Sequence, residues 1–137
     1  MKESLVRVGT TYLPVKDVQE STNWYIDHLG AILNYIDEEK AILDFANQSF
    51  FLVRAKNGEN VNFYDAHGRQ HFSCTFEVNG LEALEVLHEE FKVKGITVGE
   101  IENRGHTGRN FVFSDPNGNM FDVWSELSEE FKKRYGY

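Results

Sequence analysis

The sequence predicts an α+β fold built from two similar βαβββ modules. These modules are expected to form a curved, mostly antiparallel mixed sheet around a concave pocket, with helices on the outer face. The prediction depends on an order that occurs twice along the chain: strand, helix, glycine stop and three further strands. Neither repeat can bury both its sheet and its helix alone, so the two halves must pack together. The 137 residues are expected to form a single domain, residues 1–137.

The first module is expected at residues 5–57. Its first strand is predicted at residues 5–15, where β-branched and aromatic residues partly alternate with polar ones. A helix follows, with Asp17 as N-cap and Glu20 three residues later, as in a capping box. Gly30 supplies the C-terminal stop. The remaining strands of this module are predicted at residues 31–36, 40–45 and 49–55.

The second module is expected at residues 70–126 and repeats the same order. Its first strand is predicted at residues 71–78, where Phe72, Cys74, Phe76 and Val78 alternate with polar residues. Helical spacing of apolar residues follows, and Gly95 ends that helix. Further strands are predicted at residues 96–102, 110–114 and 119–124, with a turn at residues 115–118 and a short C-terminal helix at residues 128–135.

The charge and cysteine content restrict the partners and the location. A net charge of −8 repels phosphate backbones, so nucleic acid is not an expected partner and a cationic ligand is favoured. Cys74 is the only cysteine, which excludes an intrachain disulfide and a cysteine-rich zinc site. Neither a signal peptide nor a membrane span is predicted. A cytoplasmic protein is therefore expected.

Motifs in both halves resemble those of one family. Val15-Lys16-Asp17, Asn23-Trp24-Tyr25 and Leu29-Gly30 in the first half, and the run from Phe113 through Asp115-Pro116-Asn117-Gly118-Asn119 to Asp122 in the second, resemble the vicinal oxygen chelate superfamily. This superfamily includes glyoxalase I, bleomycin-resistance proteins, fosfomycin-resistance enzymes and extradiol dioxygenases. The resemblance implies the paired βαβββ fold, a homodimer and, in most members, a divalent metal in the concave side.

The resemblance also assigns positions to the metal ligands. Carried over one by one, these positions fall on Thr10, Leu52, Ser73 and Asp122. Only Asp122 is a strong ligand, and one carboxylate cannot hold a catalytic divalent ion against water. No cofactor is therefore expected. If a divalent metal is present, His71 and Asp122 are the expected ligands.

Alternation along the strands predicts which side chains line the pocket. The predicted pocket residues are Tyr12, Arg54, His71, Ser73, Asp122 and Trp124, accompanied by Thr10, Leu52 and Thr75. Simpler interpretations stay open for several of them. Arg54 and Asp122 could neutralise each other as a salt bridge, Tyr12 and Trp124 could be core residues, and His71 could be an ordinary hydrogen-bonded histidine. The loop at residues 105–109 is either a lid or a solvated hairpin loop.

These observations favour a metal-free member of the superfamily that binds a small organic molecule of cationic or aromatic character. The alternative is a metal-dependent lyase, thiol transferase or dioxygenase of the same superfamily, and whether the protein is an enzyme stays open. A third hypothesis makes the domain a structural or regulatory partner of another protein. Fold alone does not decide among them.

Overall fold

The computed structural model describes residues 4–137, which form ten strands and three helices. In chain order, the elements of the first half are β1 (Thr11–Val15), α1 (Val18–Leu29), β2 (Ile32–Ile36), β3 (Lys40–Phe45) and β4 (Gln48–Arg54). The elements of the second half are β5 (Phe63–Tyr64), β6 (Gln70–His71), β7 (Thr75–Glu77), α2 (Leu81–Val93), β8 (Thr97–Val98), β9 (Asn110–Ser114), β10 (Met120–Trp124) and α3 (Glu129–Tyr135).

The chain divides into two compact units, with the boundary between Asn60 and Val61. The first unit has a four-stranded sheet in the order β1-β4-β3-β2, and the second has one in the order β7-β10-β9-β8. In each sheet the first strand of the module runs parallel to the last one, and the other pairs are antiparallel. The predicted α+β fold with two βαβββ modules is thus confirmed, and the sheets are not closed into a barrel.

The first unit buries the side of its sheet that carries Leu13, Leu43 and Leu52, which have exposed fractions of 1% or less. Helix α1 contacts strands β3 and β4, and its Tyr25 is fully buried. The helix begins as predicted, because Asp17 accepts a hydrogen bond from the Glu20 amide at 2.9 Å. It ends at Gly30 in the left-handed conformation, at φ 68°.

The second unit buries an aromatic core. Phe91 of α2 contacts Phe113 edge-on at a centroid distance of 4.9 Å, and Phe121 lies 5.4 Å from the same ring. These rings occupy the side of the sheet that also carries Phe111 and Val123, both nearly fully buried. Burial of such large apolar side chains supplies the main driving force for folding this unit.

Three predicted strands differ from the structure, and the one predicted at residues 96–102 is reduced to Thr97–Val98. The first begins at Thr11 instead of Leu5, because β4 offers partners only to Thr11–Val15, and Val6 and Val8 are 80% and 65% exposed. The strand predicted at residues 71–78 is broken. Its first residue belongs to the small β5-β6 hairpin, whereas only Thr75–Glu77 joins the main sheet.

None of the helices within residues 4–137 is both long enough and apolar enough to cross a membrane.

Candidate functional site

A buried carboxylate lies on the side of the second sheet opposite α2. Asp122 of β10 pairs with Thr75 of β7 and with Val112 of β9, so the side chains of these three residues project from the same face. Trp124, two residues further along β10, projects from that face as well and pairs with Asn110. We call this side the open face of the second unit, because Thr75 is exposed and Trp124 is partly exposed.

The Asp122 carboxylate is held by neighbours on the adjacent strands. Oδ2 accepts hydrogen bonds from Thr75 Oγ1 at 3.0 Å and from Asn110 Nδ2 at 2.9 Å. Asp122 is only 2% exposed and Asn110 only 4%. A buried carboxylate is costly unless hydrogen bonds and an opposite charge compensate it. The two hydrogen bonds supply the first of these requirements.

Arg104 supplies the opposite charge. Its Nη1 lies 3.1 Å from Asp122 Oδ1, and its Nη2 donates to Glu102 Oε2 at 3.1 Å. The guanidinium also lies over the Phe72 ring, 5.4 Å from the centroid. Partial burial opposes ionisation of Arg104, but Glu102 and Asp122 outweigh it and raise the pKa of the guanidinium. We call Asp122, Thr75, Asn110, Arg104 and Glu102 the Asp122 cluster.

Two acceptor atoms of the cluster have no hydrogen-bond donor within the described chain. Asn110 Oδ1 is buried without a hydrogen bond, and so is Asp122 Oδ1, whose contact with Arg104 has the distance of an ion pair without hydrogen-bond geometry. Such atoms usually find a donor, because leaving an acceptor buried and unsatisfied is unfavourable. The cluster therefore retains capacity for a donor group.

Trp124 connects the open face to the loop at residues 103–109. Its Nε1 donates to the Thr107 carbonyl oxygen at 2.9 Å, and the His106 ring meets the indole edge-on at 5.9 Å. The loop is further held by Ser125, whose Oγ accepts from the Arg109 amide at 2.8 Å. Trp124 thus anchors this loop, and its Nε1–H group and its ring both have partners there, Thr107 and His106.

His71 and Ser73 lie outside the strand on which they were predicted. The His71 ring stacks on Phe63 at 5.0 Å across the β5-β6 hairpin, and Nδ1 lies 2.6 Å from the Phe72 carbonyl oxygen. The Ser73 hydroxyl donates to the Val61 carbonyl oxygen at 3.3 Å. Neither side chain has a described contact with Asp122. Instead, Phe72 is near both His71 and Arg104: its ring centroid lies 4.2 Å from the His71 ring and 5.4 Å from the guanidinium.

Four of the residues predicted to line the pocket belong to the first unit: Thr10, Tyr12, Leu52 and Arg54. Tyr12 is 59% exposed and its ring lies 5.1 Å from that of Phe51, its partner on β4. The face that carries Tyr12 therefore includes Phe51 and not Leu52, which points into the core and is fully buried. The prediction that Leu52 lines the pocket is wrong. Thr10 Oγ1 lies 2.9 Å from Ser49 Oγ, so this hydroxyl already has a partner.

Arg54 forms an exposed ion pair with Glu39 at 2.7 Å, in place of the salt bridge with Asp122 considered from the sequence. Glu39 raises the pKa of the Arg54 guanidinium through this contact. Arg54 also borders an open cleft of about 570 Å³ within the first unit. The other residues of that cleft are Lys16, Asp17, Val18, Gln19, Ile36, Asp37 and Glu38. Its charges are mixed, and Asp37 is held by hydrogen bonds from Tyr35 and the backbone, which lower its pKa to about 2.

Cys74 is a poor nucleophile in this environment. Its thiol is half-buried, and burial together with the charge of Asp122 raises its pKa. The thiolate is the reactive form of cysteine, so a raised pKa makes the side chain slow to react at neutral pH.

The chemistry of the Asp122 cluster does not match that of a divalent-metal site. A metal site needs several electron-pair donors pointing at one position. The groups that contact Asp122 are a hydroxyl, a carboxamide nitrogen and a guanidinium, all of which donate hydrogens or positive charge to it. At the other positions assigned from the resemblance, Leu52 is buried in the core and Ser73 is engaged with the backbone. The residues present do not fit the family's metal.

Comparison with known proteins identifies the family. The model of the Glyoxalase/Bleomycin resistance protein/Dioxygenase superfamily matches residues 6–123, so the chain belongs to this superfamily. The resemblance seen in the sequence motifs is thereby confirmed. A search of curated proteins gives no match.

Several solved structures have a similar fold. The fosfomycin resistance protein FosX from Listeria monocytogenes, solved with Mn(II) and sulfate, has a TM-score of 0.72 at 18% identity and covers 96% of this chain and 98% of its own. Lactoylglutathione lyase from Agrobacterium tumefaciens has a TM-score of 0.70 at 14% identity, covering 98% of this chain and 100% of its own. An integron cassette protein from the Halifax Harbour sewage outfall metagenome has a TM-score of 0.69 at 20% identity, covering 88% and 99%. At these identities the likeness establishes the fold.

Proposed function

We propose that the protein binds a small organic ligand of cationic or aromatic character at the open face of the second unit, without a divalent metal. The observation that carries this proposal is the ion pair between Arg104 and the buried Asp122 carboxylate, at 3.1 Å. In this arrangement the positive charge beside the last-strand carboxylate comes from the chain itself. The carboxylate therefore does not need a bound metal ion to balance its charge.

The character of the ligand follows from charge and surface. Asp122, Glu102 and Arg104 together carry two negative charges and one positive charge, which disfavours an anionic ligand. The net charge of −8 acts in the same direction over longer distances. Trp124 adds a large, partly exposed ring, which suits a planar or cationic group. Asn110 Oδ1 offers an unused acceptor to a donor on the ligand.

The family gives precedents for both binding and catalysis. Its name includes bleomycin-resistance proteins, for which the resemblance implies binding of an antibiotic without turnover, and glyoxalases and dioxygenases, which are enzymes. The fosfomycin resistance protein of similar fold was solved with Mn(II). We assign the present chain to the binding type. The groups around Asp122 donate hydrogen bonds or positive charge to it, so they do not act with it as metal ligands. We also propose a homodimer in the cytoplasm, which size-exclusion chromatography with light scattering and cell fractionation test.

Metal independence is tested on protein purified without chelators. Elemental analysis should find less than a stoichiometric amount of any transition metal, and Mn²⁺, Ni²⁺ or Fe²⁺ should leave the melting temperature unchanged. Stoichiometric metal, or a large metal-induced rise in the melting temperature, contradicts the proposal. Turnover of 2-oxoaldehydes, epoxides or catechols with one of these metals would replace it with a metal-dependent enzyme of the same superfamily.

Ligand binding is tested by thermal shift with a panel of aromatic amines and quaternary ammonium compounds. Matched neutral and anionic analogues form the comparison set. We expect cationic or aromatic compounds to raise the melting temperature, and Asn110→Asp and Trp124→Phe to change the rank order of hits. A matched control is Trp24→Phe, which changes a tryptophan of α1 in the first unit. If only anionic compounds bind, or if Trp24→Phe changes the ranking equally, the proposed site is wrong.

A further inference from the structure

The Arg104 guanidinium is the central cation of the Asp122 cluster, and three different groups fix its position. Nη2 donates to Glu102 at 3.1 Å, and Nη1 lies 3.1 Å from Asp122 Oδ1. The guanidinium lies over the Phe72 ring, 5.4 Å from its centroid. Its side chain is 24% exposed, against 57% for Arg54 in the ion pair of the first unit. Arg104 is therefore held in place in a way that a surface arginine is not.

The consequence of removing this cation follows from the burial of its partner. Asp122 is 2% exposed, and its other oxygen is already occupied by Thr75 and Asn110. Without Arg104, the carboxylate would keep its two hydrogen bonds but would lack an opposite charge. Breaking one side of a buried ion pair is far more destabilising than replacing both sides, because the remaining charge stays uncompensated.

We infer that Arg104 is a built-in cation that fills the cation position at Asp122, and that deleting its side chain opens a binding site for a small planar cation of the guanidinium class. The inference rests on the proposed function, because it identifies Arg104 as the group that takes the place of a metal ion beside Asp122. A free guanidinium ion has the same charge, planarity and N–H donors as the group removed, so it can contact Glu102 and Asp122 together. A spherical monovalent ion has none of these donors.

The experiment is rescue of Arg104→Ala by guanidinium chloride in the low-millimolar range, far below denaturing concentrations. Sodium chloride at equal ionic strength is the reference. We expect Arg104→Ala to melt below the wild type, and guanidinium to raise its melting temperature by roughly 3–5 °C when present at ten times its Kd. The wild type should show no rise, because its own guanidinium occupies the position.

Two control variants locate the effect. In Arg104→Ala combined with Asp122→Asn, guanidinium should give no rise, because the buried negative charge is gone and Glu102, at 48% exposed, pairs only weakly with a free cation. Arg54→Ala removes the exposed arginine paired with Glu39, and guanidinium should not raise the melting temperature of this variant. Absence of rescue in Arg104→Ala, or equal rescue in either control, would overturn the inference.

If Arg104→Ala is too unstable to give a melting transition, Arg104→Met takes its place, because methionine keeps an aliphatic stem beside Phe72. We expect guanidinium to raise the melting temperature of Arg104→Met and to leave that of Arg104→Met combined with Asp122→Asn unchanged. Absence of rescue in Arg104→Met, or equal rescue in a control, would again overturn the inference. Failure here is distinguishable from failure of the proposed function. Metal in the purified wild type contradicts the proposed function whatever the variants do, whereas a metal-free wild type with an unrescued variant contradicts only the role of Arg104.

Discussion

Trp124 donates a hydrogen bond from Nε1 to the carbonyl oxygen of Thr107 at 2.9 Å. Through this contact the last strand of the second unit holds the loop at residues 103–109, which carries Arg104 into the Asp122 cluster. The sequence left two alternatives for residues 105–109, a lid and a solvated hairpin loop. The structure shows a third arrangement, in which the loop is anchored to the open face of the second unit. We therefore expect the position of the cation at Asp122 to depend on this anchor.

Trp124→Phe should loosen that loop without unfolding the unit. The variant removes one partly exposed hydrogen bond, which is worth about 0.5–1.5 kcal/mol. We expect faster hydrogen exchange at the amides of residues 103–109, measured by mass spectrometry, and a fall in the melting temperature of a few degrees. Trp24→Phe on α1 is the matched control and should leave exchange in this loop unchanged. Unchanged exchange in Trp124→Phe would show that the hydrogen bond does not anchor the loop.

Gly108 should be the glycine of this loop that tolerates substitution least. A Cβ there would lie 2.6 Å from Ser125 Oγ and 2.8 Å from Trp124 Nε1, and the residue has φ 82°. Gly108→Ala therefore combines a left-handed conformation with overpacking, which costs about 1–3 kcal/mol beyond the backbone strain. Gly105→Ala is the control, because Gly105 has φ 88° with nothing within 4 Å.

Chemical denaturation of both variants measures the difference. Gly108→Ala should lose clearly more free energy of unfolding than Gly105→Ala, since both share the unfavourable φ and only the first has the overlap. Equal losses would mean that Trp124 and Ser125 move away at little cost and that the loop is not closely packed on the last strand.

The Cys74 thiol reports the charge of Asp122. Burial first and the Asp122 carboxylate second raise its pKa above the ordinary 9.0. Because the protonated thiol is unreactive, alkylation by iodoacetamide should be slow at neutral pH and should accelerate as the pH rises through this raised pKa. Asp122→Asn removes the second cause, so the midpoint of the pH–rate profile should move to lower pH.

Asp27→Asn, an exposed substitution on α1, is the control for the thiol measurement and should leave the midpoint unchanged. A rise in the limiting rate at high pH, with an unchanged midpoint in Asp122→Asn, would indicate greater access to the thiol. That result would contradict an electrostatic effect of Asp122 on Cys74.

The sequence was sufficient to predict the repeat, because each element has a local signal. The strands at residues 40–45 and 110–114 match β3 and β9, and the Asp17 cap and the Gly30 stop are present as predicted. Capping and left-handed glycine ends depend on nearby residues only. These features follow from short-range chemistry, which one sequence contains in full.

The side-chain directions at the site were less predictable. Phe50 through Val53 form a continuous apolar run, so alternation could not decide whether Phe51 or Leu52 faces the core. At residues 71–78 the alternation is regular, but pairing with Phe63–Tyr64 takes the first part of the segment out of the main sheet. Arg104 was missed because it lies in an irregular loop, where no periodicity relates it to Asp122. Its only sequence signal is a lone arginine close to Glu102 and Gly105.

A double-mutant cycle of Arg104→Met and Asp122→Asn tests most directly the claim that Arg104 is the positive partner of Asp122. The free energies of unfolding of the wild type, both single variants and the double variant are measured by chemical denaturation. We predict that the single losses are not additive and that the two residues are coupled by about 1–3 kcal/mol. Losses that add to within about 0.5 kcal/mol would show that the two side chains do not interact, and would contradict the account.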